Sequence, residues 1–123
     1  MAIFLLISAS SCTKHKGDII EHVPAASVSF FSPTANTIYQ VGDSVLISAK
    51  AISTETIHGC DIFIRKTGDT SNCFNMKIHD HNDTVLINQK WKASLSGNME
   101  AEIILYLDHE GNTLSKKAGF TIR

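Results

Sequence analysis

The residues best suited to chemistry in this sequence are three histidines, His58, His79 and His81. His79 and His81 are two residues apart in the stretch MKIHDHNDT, and alternate residues of a β-strand point to the same face. Neutral imidazole is a common zinc and copper ligand, so the pair, with His58 as a neighbour from an earlier strand, forms a candidate metal site. Lys77 shares the face of the pair, where its charge opposes a bound cation. The alternative is a polar strand face that points to solvent, because the adjacent apolar residues occupy the core side.

Other chemical motifs are missing from the sequence. There is no nucleophile elbow of the Gly-x-Ser-x-Gly type, no phosphate-binding glycine loop and no His-Glu-x-x-His motif. We therefore expect a protein that is not an enzyme, that has no catalytic residues and that needs no cofactor. The formal net charge of −1, with mixed signs, argues against a nucleic-acid partner.

The N-terminal residues have the composition of an export signal. Residues 1–11, MAIFLLISASS, carry no charge, and small residues precede Cys12, as in a secretory cleavage region. The segment Ala9–Cys12 resembles the lipobox of bacterial lipoproteins, in which the signal is cut before the cysteine and the cysteine is acylated. The resemblance implies a signal peptide over residues 1–11 and lipid attachment at Cys12. The alternative is a buried N-terminal strand that precedes a cysteine.

The residues after Cys12 bear on the location of the anchored protein. By resemblance to lipoprotein sorting rules, Thr13 rather than aspartate after the cysteine favours the outer membrane. Residues Lys14–Asp18 do not form an acidic cluster, which is the pattern that resembles a surface-export tag in the Bacteroidota. We therefore expect an outer-membrane lipoprotein of the cell envelope that faces the periplasm. We expect the protein to bind the membrane through this N-terminal lipid. Each lipid methylene buried in the membrane contributes about 0.8 kcal/mol to the binding.

Apolar residues alternate with polar ones with a period of two over most of the chain, which predicts strands. Residues 12–25 are predicted to be a tether, because Thr13–Asp18 is polar and Pro24 breaks any regular pattern, and residues 26–123 are predicted to be one domain. The alternating runs begin near Val28, Val45, Cys60, Phe74, Val85, Ala101 and Leu114. Turn sequences rich in glycine, asparagine and aspartate separate them. About seven such strands predict an all-β, antiparallel sandwich, with Trp91 packed in its core.

Two motifs resemble bacterial immunoglobulin-like domains. Ser32-Pro33 followed by Tyr39–Val45 resembles their opening pattern, and Asp108–Thr113 resembles the hairpin between their last two strands. With the lipobox, the chain resembles a small immunoglobulin-like lipoprotein of the Bacteroidota. The resemblance implies an immunoglobulin-like antiparallel β-sandwich of about seven strands and an anchor, and it brings no catalytic residues with it.

Cys60 and Cys73 form an even pair once Cys12 is assigned to the lipid. In an oxidising compartment such a pair predicts a disulfide, which would stabilise the fold by about 3 kcal/mol. If Ile64 lies opposite Phe74, however, Cys60 faces the core and Cys73 faces outward, so the bond needs a bulge. The alternative is two reduced thiols.

The predicted function is a non-catalytic binding or accessory module of the cell envelope, for a protein or glycan partner that contacts its loops or strand edges. The alternative function is periplasmic zinc or copper binding by the His79 and His81 pair with His58.

Overall fold

The computed structural model describes residues 23–123, and every regular element in this range is a β-strand. The strands are β1 (Ala26–Ser32), β2 (Ile38–Tyr39), β3 (Ser44–Ile57), β4 (Gly59–Lys66), β5 (Asn72–Ile78), β6 (Asn82–Lys92), β7 (Gly97–Tyr106) and β8 (Thr113–Ile122). The predicted signal peptide, Cys12 and the first part of the predicted tether lie outside the described residues. No helix within residues 23–123 has the length and apolar character to span a membrane.

The strands form two sheets packed as a sandwich. Sheet A has the strand order β1-β3-β6, and sheet B has the order β2-β8-β7-β4-β5. Neighbouring strands are antiparallel, except that β2 runs parallel to β8. This is the predicted immunoglobulin-like sandwich, with eight strands among the described residues rather than about seven. The additional strand, β2, has two residues, which is too short to show an alternating pattern in the sequence.

Strands β3 to β6 form one long hairpin shared by the two sheets. β4 and β5 pair in sheet B, whereas β3 and β6, which precede and follow them in the chain, pair in sheet A. The chain changes sheet at His58, between β3 and β4, and again at residues 79–81, between β5 and β6. Cys60, just after the first crossing, pairs with Ile78, just before the second. Both crossings therefore lie at the same end of the sandwich.

Alternate side chains of the two sheets point inward and form one apolar core. Most of the predicted inward apolar residues are buried or partly buried against this core, in the alternating pattern that the sequence shows. Core residues include Val45, Ile47, Ala49, Val85 and Ile87 from sheet A and Ile62, Ile64, Ala101, Ile103, Leu105 and Phe120 from sheet B. Trp91 is buried among them, as predicted.

The central strand of sheet B differs from expectation on its outer face. The apolar run of β7 predicts a strand covered on both faces, and β7 does lie at the centre of its sheet. Its outward side chains are nevertheless half-buried and partly polar. Arg65 donates to Glu100 at 3.3 Å and to Glu102 at 2.9 Å, so an ion network rather than apolar cover shields this face.

Strand β1 begins at Ala26, and the two residues before it already contact the sandwich. Pro24 is buried, although its type marks the end of a regular pattern. The Thr54 amide donates to the Ala25 carbonyl at 2.9 Å, and the Ala25 amide donates to the Thr54 hydroxyl at 3.1 Å. The last residues assigned to the tether therefore pack on sheet A.

Two adjacent residues of β6 test which side chains of this strand point into the core and which point to solvent. Ile87→Ala is predicted to lower the free energy of unfolding by about 2–5 kcal/mol, because it removes a buried aliphatic side chain from the core. Leu86 is 71% exposed, so Leu86→Ala should change the same free energy by less than about 0.5 kcal/mol. Equilibrium urea unfolding measures both values, and equal losses in the two variants would contradict this orientation of β6.

Candidate functional site

Three connections meet at the end of the sandwich where the long hairpin changes sheet. These are the crossing at His58, the crossing at residues 79–81 and the β7–β8 turn, residues 107–112. The turn joins the crossings because Gly59, the first residue of β4, pairs with Tyr106, the last residue of β7. We call this region the histidine end, since each of the three connections carries histidine.

The histidine pair of the MKIHDHNDT stretch does not lie on a strand. β5 ends at Ile78 and β6 begins at Asn82, so His79 and His81 belong to the crossing between them. The prediction that a strand carries the pair is therefore wrong, because the chain leaves sheet B one residue before His79. Both side chains are exposed to solvent, and their ring centroids are 6.3 Å apart.

His58 lies at the centre of the histidine end. Its backbone amide donates to the Tyr106 carbonyl at 2.8 Å, which fixes the crossing against β7. Its ring centroid is 5.9 Å from that of His81, so the structure brings together two of the three predicted ligands from distant parts of the chain. The His58 Nδ1 atom is buried and has no hydrogen-bond partner.

Gly59 allows the crossing at His58 to be this tight. Its φ is +142°, which L-residues rarely adopt, and a Cβ atom there would lie 3.1 Å from the backbone oxygen of Ile78. A larger residue would push β4 away from β5. The close approach of these strands holds His58 beside the second crossing.

His109 is a fourth histidine at this end, and it was not among the predicted site residues. Its ring centroid is 4.2 Å from that of His58. It lies in a turn organised by Asp108, whose carboxylate accepts from the amides of Glu110 and Asn112 at 3.0 Å each. The hydrogen bond from the Asn112 side chain is the main cause that lowers the pKa of Asp108. The sequence showed the turn motif but not that the turn folds against His58.

The described residues contain no group of three or more histidine, cysteine, aspartate or glutamate side chains already arranged around one metal position. The predicted set of His58, His79 and His81 is thus gathered but does not converge on one point. His58 and His81 face each other at a steep interplanar angle of 79°, and His79 lies beyond His81.

A cleft of about 220 Å³ next to these rings is lined by His58, Gly59, Cys60, Lys77, Ile78, His79 and Tyr106. At its wall Tyr106 donates a hydrogen bond to the buried carboxylate of Asp61, which raises the pKa of the Tyr106 hydroxyl. The Lys77 ammonium lies 3.7 Å from the other Asp61 oxygen. The sequence assigned Lys77 a repulsive role toward a cation, but Asp61 offsets much of its charge here.

Cys60 and Cys73 are both free thiols, so the predicted disulfide is not formed in this structure. Ile64 does pair with Phe74, and Cys73 lies at the register irregularity that follows. Cys60 pairs with Ile78, five residues from Cys73 along β5, which is about 16 Å of strand. A disulfide requires Cα atoms within about 7 Å, and the single bulge does not close this gap.

Comparison with known proteins identifies the fold. No family model matches the sequence, and no curated protein matches it. Among solved structures, the fibronectin(III)-like modules of CbhA from Clostridium thermocellum match with a TM-score of 0.57 and 17% identity, over 82% of this chain and 48% of that one. An engineered protein matches with a TM-score of 0.59 and 9% identity, over 80% of this chain and 20% of that one. The chain spans less than half the length of these two structures.

A third similar structure is the CARDB domain of a Pyrococcus furiosus protein, solved in complex with di-metal ions. Its TM-score is 0.54 at 8% identity, over 83% of this chain and 90% of that one. At such identities the similarity concerns the fold alone. The chain has the fold of the immunoglobulin-like and fibronectin-like β-sandwich domains.

The two thiols are predicted to differ in reactivity. Burial raises the pKa of the Cys60 thiol to about 11, so little thiolate forms there at neutral pH. In the folded protein without reductant, iodoacetamide should modify the half-buried Cys73 slowly and Cys60 only after unfolding. Peptide mass spectrometry reads both sites. If both thiols resist iodoacetamide even after unfolding and react only after reduction, the two are bonded to each other.

Proposed function

We propose that this chain is an exported, lipid-anchored, non-catalytic binding module of the cell envelope, and that its partner is a protein. The anchoring part rests on the sequence pattern of residues 1–12, an uncharged apolar run followed by small residues and Cys12. A lipid at Cys12 would hold the sandwich close to the membrane, because few residues separate that cysteine from the buried Pro24. The pattern after Cys12 supports the periplasmic side of the outer membrane.

The observation that carries the binding part is the exposed outer face of sheet A at β6. Leu86 is 71% exposed, the highest value among the large apolar side chains described. Ile52, on β3, is 45% exposed and lies diagonally across from it, since Leu86 pairs with Lys50 and Ile52 pairs with Thr84. Two neighbouring aliphatic side chains on one face favour contact with another apolar surface.

The surroundings of Ile52 extend this surface. A shallow cleft of about 370 Å³ is lined by Ala25, Ala26, Ser27, Ile52, Ser53 and Thr54, with mainly apolar walls. In addition, β6 is an edge strand of sheet A, so one side of its backbone is free to pair with an added strand. An extended protein segment that pairs with β6 and packs on Leu86 fits both features. Aliphatic side chains suit a protein better than a glycan, for which exposed aromatic faces are the more usual platform.

Lipid anchoring is predicted to depend on one cysteine. In cells that express the full chain, Cys12→Ser should abolish incorporation of labelled fatty acid and move the protein out of the membrane fraction. Cys73→Ser makes the same chemical change at a half-buried site and should leave both properties unchanged. Fatty-acid labelling of the Cys12→Ser variant at the original level would disprove the anchor.

Partner contact is predicted to be local to sheet A. A photo-crosslinking residue at position 86 should yield a discrete adduct with one envelope protein in intact cells. The matched control places it at Asn75, an exposed residue on β5, which is the corresponding edge strand of sheet B. The same adduct at both positions, or none at position 86, would contradict a binding surface at β6.

A further inference from the structure

Four of the six histidines of the chain are gathered at the histidine end, from three separate connections. Neighbouring ring centroids are 4.2 Å apart for His58 and His109, 5.9 Å for His58 and His81 and 6.3 Å for His79 and His81. We propose that the histidine end binds one divalent transition-metal ion through His58, His81 and His109, with His79 next to the remaining position. This site shares no residue with the proposed partner surface at Leu86 and Ile52, although His81 directly precedes β6.

The ring separations suit coordination of one ion. Each imidazole nitrogen lies about 2.0–2.1 Å from a bound zinc ion, so the centroids of two imidazoles on a tetrahedral zinc are roughly 5 Å apart. The distances from His58 to His109 and to His81, 4.2 and 5.9 Å, lie on either side of this value. Side-chain rotation is still required, because among the described residues these side chains are not already arranged around one metal position.

The buried Nδ1 of His58 provides a second, independent reason for a ligand. Buried polar atoms almost always have a partner, and this nitrogen has none within the protein. The rings of His81 and His109 lie next to the His58 ring. A metal ion bound to Nδ1 of His58 would be the partner that the protein itself does not provide for this atom.

The charges around the histidine end favour a cation. Asp108, in the turn that carries His109, is close enough to His58 to interact with it electrostatically. Asp80 lies between His79 and His81 in the chain and acts on the nearby Cys60. The facing cation, Lys77, is paired with the buried Asp61 at 3.7 Å. The net field of these groups is negative, which attracts a divalent ion.

The side chains also indicate which ion and what must move. Imidazole ligands select zinc, copper or nickel over magnesium or calcium, which prefer oxygen. Cys60 is buried in the core, so its thiol is not a ligand. His81 and His109 are exposed, and rotation of their side chains brings their nitrogens toward the partly buried His58. The proposed site requires this rotation, because the three rings are close but are not arranged around one point.

The test uses the full-length chain, purified in detergent and freed of metal. Calorimetric titration with zinc should give one site per chain. Cobalt(II) at the same site should give a visible spectrum without a thiolate charge-transfer band, because all protein ligands are imidazoles. His58→Ala, His81→Ala and His109→Gln should each weaken zinc binding by at least about tenfold, the scale of effect of even indirect metal partners.

Two controls separate the proposed site from general histidine affinity and from unfolding. The double variant His15→Ala, His22→Ala removes two imidazoles from outside the described residues and should leave the affinity unchanged. His109→Gln affects an exposed turn residue, and its thermal unfolding without metal should match that of the unaltered chain. Absence of a zinc site, binding unchanged in the three single variants, or equal loss in the His15, His22 double variant would each overturn the proposal.

Discussion

The long hairpin has to pass from one sheet to the other within a single residue, because β3 ends at Ile57 and β4 begins at Gly59. The return crossing between β5 and β6 lies at the same end of the sandwich, because Cys60 at the start of β4 pairs with Ile78 at the end of β5. An apolar core forms only if both halves of this hairpin turn their inward side chains toward each other, which the period of two in their sequences allows. The geometry of the crossing depends on Gly59, since a Cβ atom at that position would meet the backbone of β5.

That constraint determines what gathers at one end of the molecule. A residue at the crossing points neither into the core nor along a sheet face, so polar side chains are tolerated there and are held close together. His58 is fixed there by its backbone hydrogen bond to Tyr106, and the exposed histidines of the other two connections surround its ring. The rigid part of this end comes from β4, β5 and β7, while the adaptable part lies in the exposed side chains. A fixed central histidine with exposed histidines beside it is the arrangement on which the proposed ion site depends.

Much of the fold followed from the sequence. Alternating residues predicted the seven longer strands and the inward residues of each, because a sheet with one buried face imposes that period. The pairing of Ile64 with Phe74, which entered the disulfide argument only as a condition, is present in the structure around the turn at Gly68. The strand β2 was missed because two residues have no measurable period. The burial of Pro24 was not predicted, because a proline that ends a regular pattern can still pack against a sheet.

The candidate site was less predictable than the fold. The spacing of His79 and His81 suggested a shared strand face, yet the chain leaves the sheet before His79, and strand ends are weakly specified by local pattern. The disulfide was inferred from compartment and number, which carry no information on the distance between Cys60 and Cys73. The sequence by itself determined the strands, their buried faces and the turn chemistry, since these depend on residues near one another in the chain. Only the tertiary structure decided that His58, His81 and His109 share one end of the sandwich, because that depends on pairing between strands that are far apart in sequence.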